Sequence, residues 1–394
     1  MRFHPASLAA ALAACLFHSI LFTGLVPAAD KDGAIDTGAF RDSAQHWYNV
    51  NPDSADRVIR ALPGQPKYKD TQIREIADNI LLFQRDNGAW PKNYDMRAIL
   101  TPEQRKAVLA TRSAVDTTID NHNTHSQIVY LAKVHGILGD EKYRAACERG
   151  FDFILTAQLP CGGFPQIWPN PKGFHAFITF NDGVTIGMLK MLRDCAEGRG
   201  GFEWFSPGRR EKARAAVAKG VECLLATQYT NKQGVLQGWG QQHDPKDMKP
   251  AKARKYELPS LCSVDTAEII QYLMSIDNPD ARVIRAVQSG AAWLDKVKIM
   301  GVKVESFKAT DSKTGRTVTD KREVASPGAG PLWTRYYELE TDRPMYATLK
   351  SEVVYAFAEV DQERRRGYGW HSRKPAGILA KAHPAWLKKN NIEK

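Results

Sequence analysis

Apolar residues along this chain recur with helical rather than strand spacing, and the periodic stretches alternate in two sets. One set predicts helices at about 70–86, 141–158, 209–228 and 280–297; the other, interleaved, predicts helices at about 125–138, 183–197, 263–276 and 345–362. A weak internal repeat of roughly seventy residues runs through the first set. Its copies are "ILLFQRDNGAWPKN", "FILTAQLPCGGFPQIWPN" and "CLLATQYTNKQGVLQGWG", with a degenerate fourth at "AAWLDKVKIMG". In each of the first three, an apolar helix ends at a glutamine (Gln84, Gln158, Gln228), followed by a turn with glycine and then an aromatic residue. Glycines at such helix exits suit a chain leaving through the left-handed region. The alternation predicts an all-α fold of repeated α/α hairpins closing into a toroid-like (α/α) barrel with an open central cleft, an irregular helical bundle being the alternative.

Composition narrows the setting. The 394 residues, 43% hydrophobic, suffice for one large domain or two ordinary ones. Residues 1–29 have a basic start, an apolar run from about Ser7 to Val26 and a small-residue stop, the pattern of a signal peptide cleaved near Ala29; an uncleaved anchor is the other reading. The expected location is therefore secreted or periplasmic, with no stable membrane association once the leader is removed. The mature chain carries Cys147, Cys161, Cys195, Cys223 and Cys262 without paired metal-site spacing, which leaves room for one or two disulfides and excludes a disulfide scaffold. Fifty-five Lys and Arg against 44 Asp and Glu give a formal charge of +11, which draws anionic partners. No zinc finger, RNP motif or basic stripe supports nucleic acid, and an acidic extracellular polymer suits both the charge and the leader. A monomer is expected.

The loops entering the second set of helices are polar: "TTIDNHNTHSQ", "HAFITFNDGV", "PAKARKYELPS" and "GPLWTRYYELETDRP". In a ring of helix pairs they would meet at one end, bringing distant residues around one cleft. Asp120 and Asp182 stand a few residues before helix starts, where carboxylates also serve as N-caps. Their amide neighbours, Asn121 and Asn181, favour an oxygen-rich site of the kind hard cations such as Ca²⁺ take; the cap role then falls to Thr124 and Ser126. His122 and His125 have a spacing that zinc could use, but the third ligand and the helical context of a zinc enzyme are missing; they are read as sugar or neighbouring contacts. Arg254 is followed by Tyr256 and Glu257, and Arg335 by an aromatic pair and Glu338. Two arginines backed in this way suit carboxylate recognition by the guanidinium fork.

Six strings, "QRDNGAWPKNYDM", "TTIDNHNTHSQI", "CGGFPQIWP", "ITFNDG", "PAKARKYELPSL" and "PLWTRYYELETDRP", resemble, in order, the pectate lyases of polysaccharide lyase family 10. The resemblance spans about residues 68–370, and makes 30–394 one catalytic domain, with room for two lobes flanking a cleft. It implies cleavage of polygalacturonate by β-elimination with Ca²⁺ and an arginine base. Carried over motif by motif, Asp120 and Asp182 would sit at the metal and the substrate carboxylate and Arg254 would be the base. Arg335 would bind substrate, and Lys92 and Asn93 would face the cleft. Asn121, Asn181, Tyr256, His122 and His125 complete the expected substrate-binding set. The chain departs from the family at His122, Asn123 and His125, where the family commonly has smaller residues, and at Gly183, where an acid or amide often follows the second aspartate.

In a galacturonate unit the C5 proton is α to the C6 carboxylate, so its removal builds an enolate-like dianion, and a cation on that carboxylate lowers the barrier. A guanidinium is a reluctant base; neighbouring Ca²⁺, Lys and Arg are expected to loosen its proton, and activity is expected to rise into alkaline pH. Two other readings remain at this point: a hydrolase with Asp120 and Asp182 as acid and base, and a non-catalytic binder of acidic glycans.

Overall fold

The computed structural model describes residues 33–49 and 59–393, so the expected leader lies outside the described residues. About 44% of the chain is helical and 13% strand. The first helices are α1 (Arg41–Asn49), α2 (Ile73–Phe83) and α3 (Pro102–Leu109). Three hairpins follow: α4 (His125–Leu138) with α5 (Glu141–Ala157), α6 (Thr185–Glu197) with α7 (Pro207–Thr227), and α8 (Ser263–Leu273) with α9 (Ala281–Lys296). α4, α6 and α8 stand side by side as one layer, α2 packs on α4, and α5, α7 and α9 back the layer. Seven of the eight predicted helices therefore form within a few residues of their expected bounds.

The seventy-residue repeat has a physical basis. Gln84, Gln158 and Gln228 each end a helix, and each side-chain amide donates twice: to a carbonyl of its own turn (Gly88, Gly162, Gln237) and to a carbonyl of the next backing helix (Ala146 in α5, Ala216 in α7, Ala286 in α9), at 2.7–3.0 Å. One glutamine thus closes its turn and fastens its helix to the following hairpin. Gly150, Gly220 and Gly290 sit where a Cβ would run into Ile128, Leu189 and Ile270 of the facing helix, at 2.7, 2.1 and 2.9 Å. Gly162 combines φ +94° with only 2.0 Å between an added Cβ and the Lys219 carbonyl oxygen. Gly162→Ala is therefore expected to destabilise the protein by roughly 1–3 kcal/mol, seen as a lowered thermal midpoint; an unchanged midpoint would contradict this account of the repeat.

The fourth copy is present but opened. Trp90, Trp239 and Trp333 each donate their indole N–H to a carbonyl near the end of the preceding repeat helix (Ile80, Leu224, Leu294) at 2.7–2.8 Å. In the fourth turn Ile299 and Leu332 exchange backbone hydrogen bonds at 2.8 and 2.9 Å. Between them lies an antiparallel hairpin of β4 (Val302–Thr310) and β5 (Thr317–Ala325). The shorter strands are β1 (Ile178–Thr179), β2 (Gln242–His243), β3 (Leu261–Cys262), β6 (Trp333–Thr334), β7 (Tyr336–Tyr337), β8 (Pro344–Ala347), β9 (Val353–Val354) and β10 (His371–Ser372).

The expected helix over 345–362 does not form. Tyr336 pairs with Met345 and Tyr346 with Val354, so this stretch joins the sheet β3-β7-β8-β9 and ends in a 3-10 turn at Phe357–Glu359. Its apolar residues enter a second core cluster with Tyr256, Cys262, Tyr336 and Trp370, apart from the main helical core. All five described cysteines are free thiols, so the room left for one or two disulfides is not used among the described residues. Among the described residues no helix is long and apolar enough to cross a membrane.

Candidate active site

The N-terminal ends of α4, α6 and α8 share one end of the helical layer, and the polar loops entering them converge there. The α4 loop is tied to the α6 loop through the backbone: His122 N–H donates to the Asp182 carbonyl at 3.0 Å. Asn93, Asn121, His122, Thr124 and Asp182 all have positive φ, between 52° and 67°. Non-glycine residues pay for that conformation, and such outliers gather at functional sites. Neither expected cap residue caps: Thr124 occupies the N-cap position of α4, but its hydroxyl donates to Thr118 O, and the Ser126 hydroxyl donates to His122 O.

Asp120 is 6% exposed. Its Oδ1 accepts from Gln166 Nε2 at 2.8 Å, and its Oδ2 faces Lys92 Nζ at 3.2 Å. Lys92 thus forms an ion pair with Asp120. Gln166 escaped the sequence reading, as did His175, whose Nδ1 lies 2.8 Å from Gln166 Oε1. Asp182 opens to solvent, yet the protein around it desolvates its carboxylate and, with the charge of Asp120, pushes its pKa up to about 6. Asn181 Nδ2 donates to it at 2.5 Å. The side-chain oxygens of Asn93 and Asn181 are buried without a hydrogen-bond donor.

The donor set fits Ca²⁺ on this ground. Two carboxylates that repel each other, together with two amide oxygens that no donor satisfies, are hard oxygen ligands of the kind such a cation takes. No group of three or more His, Cys, Asp or Glu poised for a metal occurs among the described residues. Amide oxygens, water or a bound carboxylate would have to complete such a shell.

Two arginines stand near enough for their charges to act on Asp182. Arg254 donates Nε and Nη2 to the two oxygens of the buried Glu257 at 2.7 and 2.5 Å, a bidentate pair that leaves Nη1 without a partner among the described residues. Burial loosens the Arg254 proton, but the hydrogen bonds and charge of Glu257 outweigh it, so the pKa is raised above the usual arginine value. The expected loosening of this proton by its surroundings is therefore reversed in the protein itself. Burial pushes the Glu257 carboxyl up, and its bonds with Arg254, Gln241 and Tyr368 outweigh that and hold it below the usual range.

Arg335 is backed differently from the expected pattern. Glu338 bonds Thr341 and Tyr355 instead, and Arg335 donates Nε and Nη2 to Gln241 Oε1 at 3.0 and 2.9 Å. Tyr368, also missed in the sequence, joins the two arginines. Its ring lies 5.7 Å from the Arg254 guanidinium and 5.1 Å from that of Arg335, and its hydroxyl donates to Glu257 at 2.7 Å. Tyr256 is 6% exposed with its ring 5.3 Å from the Arg254 guanidinium, so it supports that arginine and offers little surface to a ligand. Asn121 lies next to Asp120 in the chain and is half-buried.

The sequence profile of the pectic acid lyase family matches residues 84–379, a span that holds every site residue named above. This chain belongs to the pectic acid lyase family. Within that family, two solved structures of a family 10 polysaccharide lyase from Cellvibrio cellulosa are similar to it. The first covers 80% of this chain and 93% of its own, at 29% identity and TM-score 0.66. A point mutant of the same lyase in complex with trigalacturonic acid covers 79% and 92%, again at 29% identity, with TM-score 0.65. No curated protein matches this pectic acid lyase family member significantly. The protein is a pectate lyase.

Proposed function

We propose that this pectate lyase is exported and cleaves polygalacturonate by Ca²⁺-dependent β-elimination at the cleft between Asp120, Asp182 and the two arginines, giving 4,5-unsaturated oligogalacturonides. The ring of helix pairs is read as an incomplete α/α toroid whose fourth position is filled by the strands of residues 333–354. What supports the reaction is the nearness of unlike groups: two carboxylates beside orphaned amide oxygens, and two oriented guanidinium groups whose charges reach Asp182. A polyuronate supplies the anionic groups that the second half binds, and the complex of the Cellvibrio lyase with trigalacturonic acid supports this substrate class.

Ca²⁺, held by Asp120 and Asp182 with the neighbouring amides, would supply Lewis-acid stabilisation of the substrate carboxylate. Arg335, fixed by Gln241 and the Tyr368 ring, orients a second carboxylate of the chain. Glu257 and Tyr368 fix Arg254 so that its one free terminal nitrogen, Nη1, points toward substrate. Arg254 accepts the C5 proton, the C5–H electron pair becomes the C4–C5 double bond, and the C4–O4 pair leaves with the departing sugar, which takes up a proton as a free hydroxyl. Since Glu257 strengthens the hold of Arg254 on its proton, the neutral base is scarce at neutral pH, and the rate is expected to climb into the alkaline range.

The test is incubation with polygalacturonate and Ca²⁺ while following ultraviolet absorbance of the unsaturated product. Rising absorbance that a chelator abolishes and Ca²⁺ restores is the expected result. New reducing ends without absorbance would replace the lyase reading by hydrolysis using Asp120 and Asp182, and an acidic optimum would remove Arg254 as the base.

A further inference from the structure

The β4–β5 hairpin encloses a cavity of about 420 Å³ against the closing segment of residues 368–373, within the roughly 300–1,000 Å³ of ligand sites. Leu332, Phe357 and Trp370, all buried, give it apolar atoms. Two cations line it: Lys321, in register with Ser306 across the hairpin, and Arg373, which follows directly on β10. Neither makes an ion pair among the described residues, and no carboxylate is among the residues lining the cavity. Glu323, in register with Val304, is engaged elsewhere: its Oε1 accepts from the Tyr346 hydroxyl at 2.5 Å and meets His371 Nε2 at 2.6 Å. The cavity is therefore basic without internal compensation, which draws an anion. Lys321 is half-buried, so its charge is less screened than one fully in solvent.

The cavity adjoins the cleft. Tyr368, whose ring lies beside both the Arg254 and the Arg335 guanidinium groups, is one of its lining residues. Gly369 is another: a Cβ there would stand 3.8 Å from Arg335 Nη1, the nitrogen that Arg335 does not give to Gln241. Arg335 thus reaches the edge of the same cavity that Arg373 and Lys321 line. Every unit of a polyuronate carries one carboxylate, so a chain that passes Arg335 and continues brings further carboxylates to the other two cations. A guanidinium grips such a group in its plane, and an ammonium adds a point charge.

We propose that this cavity is a further galacturonate subsite, in which Arg373 and Lys321 take carboxylates of units lying beyond the one bound by Arg335. The subsite rests on the polygalacturonate reading of the adjoining cleft. It makes the enzyme favour long chains over short ones, because only a long chain reaches both places at once.

The experiment compares the wild-type protein with the double variant Lys321→Gln/Arg373→Gln. Binding of galacturonate oligomers of increasing length, and of fully methyl-esterified polygalacturonate, is measured by calorimetry in chelator, so that binding is read apart from turnover; KM and kcat on the oligomers are measured with Ca²⁺. The variant is expected to bind long oligomers roughly tenfold more weakly, the effect of losing two partly exposed charge contacts, with a matching rise in KM and little change in kcat. On the shortest oligomer cleaved the two proteins should agree, and the ester should bind weakly and equally to both. Equal affinity and KM of the two proteins at every length, a loss that is the same at every length, or an ester bound as tightly as the acid overturns the subsite. If the variant loses long-chain binding while neither protein yields unsaturated product, the lyase reading falls and the subsite stands. Unsaturated product formed with equal KM by both proteins keeps the reaction and removes the subsite.

Discussion

Arg254→Lys is expected to cut kcat on polygalacturonate by about 10²–10⁴-fold, the range a positioned general base contributes, with the thermal midpoint little changed. Lysine keeps a positive charge beside Glu257, so the buried carboxylate is not left unpaired, but it cannot bond Glu257 through two nitrogens and present a third. The companion variant Glu257→Gln separates positioning from proton affinity. Glu257 raises the proton affinity of Arg254, so removing its charge should move the alkaline rise in activity to lower pH, even while looser positioning lowers the maximum. A pH–rate profile of Glu257→Gln that overlays the wild type, or Arg254→Lys with near-normal kcat, would take the base role away from Arg254.

Asp182→Asn is expected to show a gain in stability and a loss of function at once. The carboxyl of Asp182 is raised to about 6 from an ordinary 3.8, so the folded protein holds this proton more tightly than the unfolded chain. The sign follows from that: the ionised carboxylate costs nothing at pH values below the ordinary one, its cost grows between the two values, and it is fully present above the raised one. Asp182→Asn should therefore raise the thermal midpoint at about pH 7.5 and leave it unchanged near pH 3.5. The gain is small because the side chain is open to the cleft and screened by solvent. Activity at limiting Ca²⁺ should fall by at least the roughly 10–100-fold seen when mere supports of a metal ligand are removed. Added Ca²⁺ should stabilise the wild type and not the variant. A variant that is less stable at neutral pH, or that keeps its response to Ca²⁺, would contradict the part given to Asp182.

The helices were legible where local and tertiary demands agree. α4 to α7 end at a recognisable glycine or glutamine (Gly139, Gln158, Gly198 and Gln228), and α4 to α9 pair as the hairpins that the period implies. The stretch 345–362 was misread because its apolar spacing also fits a helix, and what decides its form is pairing with Tyr336 and Tyr337, which no local pattern encodes. The β4–β5 hairpin had a local sign that was passed over: a glycine turn, "DSKTG", with Gly315 at φ +68°, between runs rich in valine and threonine. In the site, Asp120, Asp182, Arg254 and Arg335 stand in unusual polar loops and could be singled out. Gln166, Gln241 and Tyr368 could not, since Gln241 lies 94 positions from the arginine it holds and Tyr368 comes from the closing segment, 111 positions from Glu257. For His122 and His125 the sequence showed only the departure; that their rings lie against Gly183 and Gly187 is seen only in the fold.

The hairpin that opens the fourth turn has a consequence for how this enzyme can be altered. Asp320 of β5 receives two bonds from Arg365, and Glu323 bonds His371 and Tyr346, so the insert braces the stretch of chain on either side of Tyr368. The aromatic plate shared by the two arginines is thus propped from outside the repeating frame, by an element whose two ends already meet at Ile299 and Leu332. Substitutions at Asp320 or Glu323, far from the glutamine ladder, are therefore expected to reach the plate through Arg365 and His371 and so to alter the grip of the enzyme on its polymer.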